Sequence, residues 1–384
     1  MAAAGQMAGT RYLPDTYMNN IKAQRQQLRK QCKFIFPGFH SLSPAQEFQA
    51  LAAWCEANQI EHDVYGEGEL LSNFESKLAN LLGKPAAVFM PSGVMAQLIA
   101  VQIWSEQGGL PRFGLHPTSH LIGHEEQAYQ ALLKLHGVPV GDRLKPMLAA
   151  DLEAVKQDLA CLLVELPIRC AGGQLPGWEE LQALKDKARE RGIPLHMDGA
   201  RLWESRAFYG KTHAEIAEGF DSVYVSMYKG IGGLAGAVLL GDEEFIATAR
   251  IWQRRLGGTL VHQSPMVASA AMRFDERLSL MDTCLQRTLA LAEGLKALPG
   301  VRINPATPQT NMLHLYFDTH EDRVMAARDK IAADDSHWVV GPVRPAEVPG
   351  WSYTELYVGD NLLALNNEQV LPYFRRLLEL SRHQ

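Results

Sequence analysis

Ile193-Pro194-Leu195-His196-Met197-Asp198-Gly199-Ala200-Arg201 and, further on, Ser222-Val223-Tyr224-Val225-Ser226-Met227-Tyr228-Lys229-Gly230 are two apolar runs of strand length, each leading to a single charged group beside glycine. Runs of this kind predict strands buried on both faces, with Asp198 and Lys229 at or just past their carboxyl ends. The two charges are 229 − 198 = 31 residues apart, enough for a crossover between neighbouring strands, so both side chains can face one cleft.

The sequence on either side supports that reading. Residues 161–166 form another apolar run, residues 178–191 a charged helix, and residues 193–197 the strand already quoted. Strand, helix, strand in this order predicts a parallel sheet with crossover helices. Earlier still, residues 86–90 read as a strand that ends in Pro91-Ser92-Gly93, with an apolar helix directly behind. The free N–H groups and positive dipole end of such a helix suit a phosphate, although a serine cap on an ordinary turn gives the same letters.

Composition narrows the function classes. A chain of 384 residues with 47% hydrophobic residues can bury a large core. Its net charge of −6 gives no basic field for nucleic acid or an anionic membrane, which leaves a small molecule as the expected partner. Cys32, Cys55, Cys161, Cys170 and Cys284 are odd in number and scattered without a CxxC pair, which predicts neither a disulfide framework nor a zinc site and fits a cytoplasmic location. Residues 1–9 lack the pattern of a signal peptide, and no run approaches the ~20 apolar residues of a membrane helix.

Elsewhere the pattern predicts helices over 15–32, 44–57, 70–82, 243–255 and 264–298. Strands are expected near 301–303, 312–317, 338–340 and 355–358, with helices near 322–333 and 368–382. The expected organisation is an N-terminal arm over 1–45, a large α/β domain over 46–265 and a small α+β domain over 266–384. His120 and His124 lie four apart and invite a metal reading, but no third ligand stands at a recognisable spacing, so no metal is expected.

A lysine, an aspartate on the neighbouring strand and an anion-binding turn together suit pyridoxal 5'-phosphate. A buried lysine has a lowered pKa and can form a Schiff base with the cofactor aldehyde. The aspartate can hold the pyridine nitrogen protonated, and Arg201 offers a planar fork to a substrate carboxylate. The competing reading of Asp198 and Lys229 is a buried ion pair.

Four separated segments then resemble the low-specificity L-threonine aldolase and aromatic amino acid beta-eliminating lyase family. They are Asp63-Val64-Tyr65-Gly66-Glu67, Phe89-Met90-Pro91-Ser92-Gly93-Val94-Met95-Ala96, His196-Met197-Asp198-Gly199-Ala200-Arg201-Leu202, and Lys229-Gly230 with Ala235-Gly236-Ala237-Val238-Leu239-Leu240-Gly241. The resemblance implies fold type I, the aspartate aminotransferase or pyridoxal-phosphate-dependent transferase-like fold: a mostly parallel sheet in a large domain beside a small α+β domain. It implies Lys229 as the Schiff-base lysine, Asp198 at the pyridine nitrogen, and Ser92, Gly93 and Val94 at the phosphate, with a hydroxyl from Ser226. It also implies His120 stacked on the ring with Glu125 behind it, Arg201 at the substrate carboxylate, and Tyr65 reaching the cofactor or a neighbouring subunit's site. A homodimer or homotetramer is expected.

The sequence also departs from the family. Val94 stands where a threonine would give the phosphate a hydroxyl. Leu166-Pro167-Ile168-Arg169 replaces an Asn-Thr-His segment whose histidine acts at the β-hydroxyl, and Glu355 stands where a second carboxylate-binding arginine is expected. Arg169 is the candidate to supply that cation, and His40, His124 and His262 are the candidates for the base. The expected function is cleavage of a threonine-like or phenylserine-like β-hydroxy-α-amino acid to glycine and an aldehyde. The alternative is β-elimination, racemisation or transamination on another amino acid with the same cofactor.

Overall fold

The protein's structure is a computed structural model that describes residues 15–40 and 42–382; the expectation about residues 1–9 lies outside them. After a two-residue strand, β1 (Phe34–Ile35), come the seven strands of the main sheet: β2 (Ala86–Met90), β3 (Arg112–Leu115), β4 (His136–Pro139), β5 (Leu162–Glu165), β6 (Leu195–Gly199), β7 (Ser222–Ser226) and β8 (Ala237–Gly241). A second sheet follows, built from β9 (Val301–Asn304), β10 (Met312–Phe317), β12 (Val343–Pro345) and β13 (Ser352–Tyr357), while β11 (His337–Trp338) pairs with β1.

The main sheet runs β2-β8-β7-β6-β5-β3-β4. Only β8 is antiparallel to its neighbours, so the carboxyl ends of the other six strands share one edge. Strands β5 to β8 are buried at every position because helices cover both faces. In β7, Val223 and Val225 enter one core while Tyr224 enters the opposite one, beside the helix Gly93–Gly108. His196 and Asp198 alternate with Leu195 and Met197 of the first core, so they point to that helix's face.

The helix Ser264–Lys296 joins the two sheets. Its 33 residues span about 50 Å, with Val267, Ala270 and Phe274 in the main core and Leu291, Ala292 and Leu295 under the small antiparallel sheet. Strands β3, β4 and β12 escape a reading based on apolar runs because they are short and interrupted by Gly114, Gly137, Pro139 or Pro345. Residues 338–340 show the reverse case. Only Trp338 is in the ladder, while Val339 and Val340 are apolar because they fill the small core.

Candidate active site

Glu165 and Asp198 stand side by side in the register of β5 and β6, on the face covered by the helix Gly93–Gly108. Ala200 N–H donates to Asp198 Oδ1 at 3.1 Å. Burial pushes the Asp198 carboxyl up, while Lys229 and the hydrogen bonds from Ala200 and Gln97 pull it back toward the ionised form. Burial likewise raises Glu165, and the neighbouring Asp198 adds to it, reaching about 8. Lys229 follows β7 through a tight loop. Burial lowers its ammonium pKa against the attraction of Asp198, so the neutral amine becomes accessible.

These groups line one cavity. Its lining brings together Asp198, Glu165 and Lys229 with His120, His124, Arg169, Cys170 and Arg201. Two buried polar atoms there have no partner among the described residues, Glu165 Oε2 and Arg201 Nε. Unpartnered polar atoms are uncommon in a folded interior and mark a place where a ligand can complete them.

At the same sheet edge β2 passes into the helix Gly93–Gly108, and Ser92 caps it by accepting from Met95 N–H at 3.2 Å. Gly93 is required by packing as well as by turn chemistry. A Cβ at this position would lie 2.1 Å from Tyr224 Oη, so only glycine lets the helix start sit on the sheet. Val94 is half-buried and packs against a neighbouring apolar cluster.

His120 opens a single helical turn, and its Nδ1 lies 2.8 Å from Glu125 Oε1. Burial raises the Glu125 carboxyl, partly offset by His120. His124 tilts against His120 with ring centroids 5.1 Å apart, and burial followed by the charge of His120 lowers its pKa. Of the three histidines considered as bases, only His124 lines the cavity. His262 Nδ1 contacts Asp63 O at 2.5 Å while its ring stacks on His62, and the exposed His40 lies by Asp360. No group of three His, Cys, Asp or Glu suited to a metal occurs among the described residues.

Arg201 is clamped rather than free. Its Nη1 donates to Glu204 Oε1 at 3.3 Å, its guanidinium lies 4.7 Å from the Tyr357 ring centroid, and Tyr357 O–H donates to the same Glu204 oxygen at 2.7 Å. Burial pulls the Arg201 pKa down, but Glu204, Tyr357 and Glu355 outweigh it and keep the side chain charged. Arg169 Nε donates to Glu355 Oε2 at 2.8 Å, so the cation expected to replace the missing arginine is already paired with the residue that displaced it.

Two expected residues do not line this cavity. Ser226 is fully buried, and its hydroxyl accepts from the N–H groups of Tyr228 (3.4 Å) and Lys229 (3.3 Å), so it shapes the lysine loop. Tyr65 does not line the Lys229 cavity; it is exposed, with φ 51°, beside a separate cleft with Arg250, Arg254 and Arg255. Glu165, Gln97, Glu204 and Tyr357 also stand at or around this site, although the places of the last three in the sequence do not single them out. Glu165, at the end of an apolar strand, was the only one with a visible signal.

A family model for the beta-eliminating lyases matches residues 44–317. A low-specificity L-threonine aldolase of Arabidopsis thaliana is 28% identical over 275 residues, which covers 68% of this chain and 76% of that protein. Among solved structures, a candidate L-allo-threonine aldolase of Listeria monocytogenes is 35% identical, covers 94% of this chain and 99% of its own, and superposes with a TM-score of 0.87. A candidate aromatic amino acid beta-eliminating lyase/threonine aldolase of Exiguobacterium sp. 255-15 is 38% identical, covers 92% and 99%, and gives a TM-score of 0.86. The architecture is that of the fold-type I enzymes, and the chain belongs to the beta-eliminating lyase family.

Proposed function

We propose that this chain is a pyridoxal 5'-phosphate-dependent lyase that cleaves the Cα–Cβ bond of a β-hydroxy-α-amino acid to give glycine and an aldehyde. The observation that carries the reading is the convergence of Lys229, Asp198 and Arg201 on one cavity at the carboxyl edge of the sheet. The threonine aldolases among the relatives support the bond that is cut.

The residues present fit the cofactor. Lys229 offers a buried amine to its aldehyde, Asp198 a held carboxylate to its ring nitrogen, and the turn at Ser92 and Gly93 a helix start to its phosphate. His120, fixed by Glu125, is the residue for its ring face. When bound, the cofactor supplies an electron sink for the pair left at Cα as a bond to Cα breaks.

The chain's own groups do the rest. Arg201, held by Glu204 with Nε free, takes the substrate carboxylate and fixes which bond at Cα stands in the reactive direction. His124, kept neutral by burial and by the cations around it, accepts the proton of the β-hydroxyl. Arg169 stays engaged with Glu355, so the substrate carboxylate relies on Arg201 alone.

The reading includes assembly as a homodimer or homotetramer in the cytoplasm. Val64, Tyr65, Ile251 and Val261 are exposed apolar side chains, and Tyr65 N–H donates to Val261 O at 3.0 Å, so at least these two share one face. That face suits a second copy, whose site Tyr65 would then reach. All five cysteines are free, which fits a reducing compartment.

Absorption spectroscopy of the protein reconstituted with pyridoxal 5'-phosphate tests the cofactor assignment. A visible band that borohydride removes while fixing the cofactor covalently to the wild type, with no such fixation in Lys229→Ala, is the expected result. A band unchanged in Lys229→Ala would overturn it.

A further inference from the structure

Beside Asp198, among residues that do not line the cavity, runs a chain of buried hydrogen bonds that the chemistry above does not use. His196 precedes Asp198 by two positions on β6 and so points to the same face. Ser222 is its partner in the register of β7. His196 Nδ1 lies 2.8 Å from Ser222 Oγ, and His196 Nε2 lies 2.7 Å from Gln97 Oε1. Trp104 Nε1–H donates to Ser222 Oγ at 2.8 Å. The Gln97 side chain is in turn within reach of Asp198 and favours its ionised form.

One set of directions satisfies all of these groups at once. Ser222 Oγ accepts from the Trp104 indole, which can only donate, and its own hydrogen is then free to face His196 Nδ1. That makes Nδ1 the acceptor and leaves the imidazole hydrogen on Nε2, which donates to Gln97 Oε1. With its carbonyl oxygen held there, Gln97 presents its NH₂ group to Asp198. Gln97, His196 and Ser222 are all nearly or fully buried, so water does not compete for these bonds.

We infer that Gln97 and His196 are positioning residues for Asp198: His196 fixes the orientation of the Gln97 amide so that the carboxylate meets a donor and stays aimed and ionised. The inference rests on the cofactor reading given above. A reversed amide would set a carbonyl oxygen against the carboxylate and remove the donor that offsets its burial. Burial also holds His196 neutral, at about 3, so the single-hydrogen form persists over the working pH range.

The geometry adds a second consequence. Gln97 lies one turn inside the helix that begins at Gly93, the same helix whose start carries the phosphate turn. Through Gln97 the turn and the carboxylate are tied to each other, which sets the span between the two ends of the cofactor site. Lys229, His120, Glu165, Glu125, Tyr224 and Tyr228 are the charged or titratable groups that act on Asp198 from the elements around it.

The test uses the full-length protein reconstituted with pyridoxal 5'-phosphate, comparing wild type, Gln97→Met and Ser222→Ala. Three quantities are read: the cofactor dissociation constant by equilibrium dialysis, the pH midpoint of the visible band, and the thermal midpoint of unfolding. Loss of a hydrogen bond to a charged group predicts cofactor affinity weaker by ~10- to 100-fold in Gln97→Met, with the band midpoint displaced by about one pH unit. Ser222→Ala, which leaves Gln97 in place and removes only the group that fixes the imidazole hydrogen, is expected to move both in the same direction by less. It serves alone if Gln97→Met does not fold.

A folded Gln97→Met, or a folded Ser222→Ala, with wild-type affinity and band midpoint overturns the inference while leaving the cofactor reading intact. A wild type with no visible band overturns that reading and this inference together.

Discussion

Glu165 and Asp198 face each other across β5 and β6, two buried carboxyl groups in register at one end of neighbouring parallel strands. Two adjacent buried carboxylates cannot both ionise cheaply, and the hydrogen bonds decide which one gives way. Asp198 accepts from Ala200 N–H at 3.1 Å and is held toward the ionised form by Lys229 and Gln97, whereas Glu165 receives the single Arg169 N–H at 3.0 Å. Asp198 is therefore the carboxylate of the pair, and Glu165 keeps its proton to about pH 8.

This proton has a stability signature. An unfolded glutamate releases it near about pH 4.3, and the folded chain retains it to about 8, so the native state binds the extra proton across that window. Stability contributed by Glu165 is present below the window and is lost as pH rises through it. Glu165→Gln keeps an acceptor for Arg169 N–H and removes the titration. Urea midpoints measured between pH 5 and pH 8 are expected to fall less with pH in this variant than in the wild type.

His124 is the group assigned to the β-hydroxyl proton, and its lowered pKa sets where activity is lost in acid. The acid limb of the kcat profile is expected below the ordinary imidazole value of about 6.5. His124→Asn is expected to lower kcat by ~10²- to 10⁴-fold and to abolish that limb, with little change in cofactor binding. A profile that keeps its acid limb in His124→Asn would assign the base elsewhere.

Gly93 is fixed by the tyrosine beneath it. Gly93→Ala would bring a methyl group to 2.1 Å from Tyr224 Oη, and displacing that packed ring is expected to cost about 1–3 kcal/mol. Removing the hydroxyl in Gly93→Ala/Tyr224→Phe is expected to restore part of the loss. Calorimetric midpoints of the single and double variants check the coupling.

Much of this site could be read from the chain because its parts are local. Ser222–Ser226, Asp198 and Lys229 announce themselves through apolar runs that end on one charge, and Ser92-Gly93 through a strand that turns straight into a helix. What stayed hidden depends on contacts between distant segments. Arg169 and Glu355 are 186 residues apart and meet only when the small sheet folds against the loop after β5. Gln97 is an unremarkable mid-helix residue until the face of β6 is known, and Glu165 gains its meaning only from its register with Asp198.

Tyr65 shows the same limit from the other side. Its motif is legible in the sequence, yet the side chain stands beside Arg250 and Arg254, away from its own chain's Lys229. Where that side chain stands depends on contacts with a distant segment, Tyr65 N–H donating to Val261 O, and not on the motif itself.

Product identification shows most directly which bond at the substrate breaks. The wild-type protein, reconstituted with pyridoxal 5'-phosphate, is incubated separately with L-threonine, L-allo-threonine, phenylserine and L-serine, and the products are identified by mass spectrometry. Glycine with acetaldehyde or benzaldehyde, absent in Lys229→Ala, is the predicted result. Pyruvate from serine or another 2-oxo acid, without glycine from any β-hydroxy substrate, would contradict it.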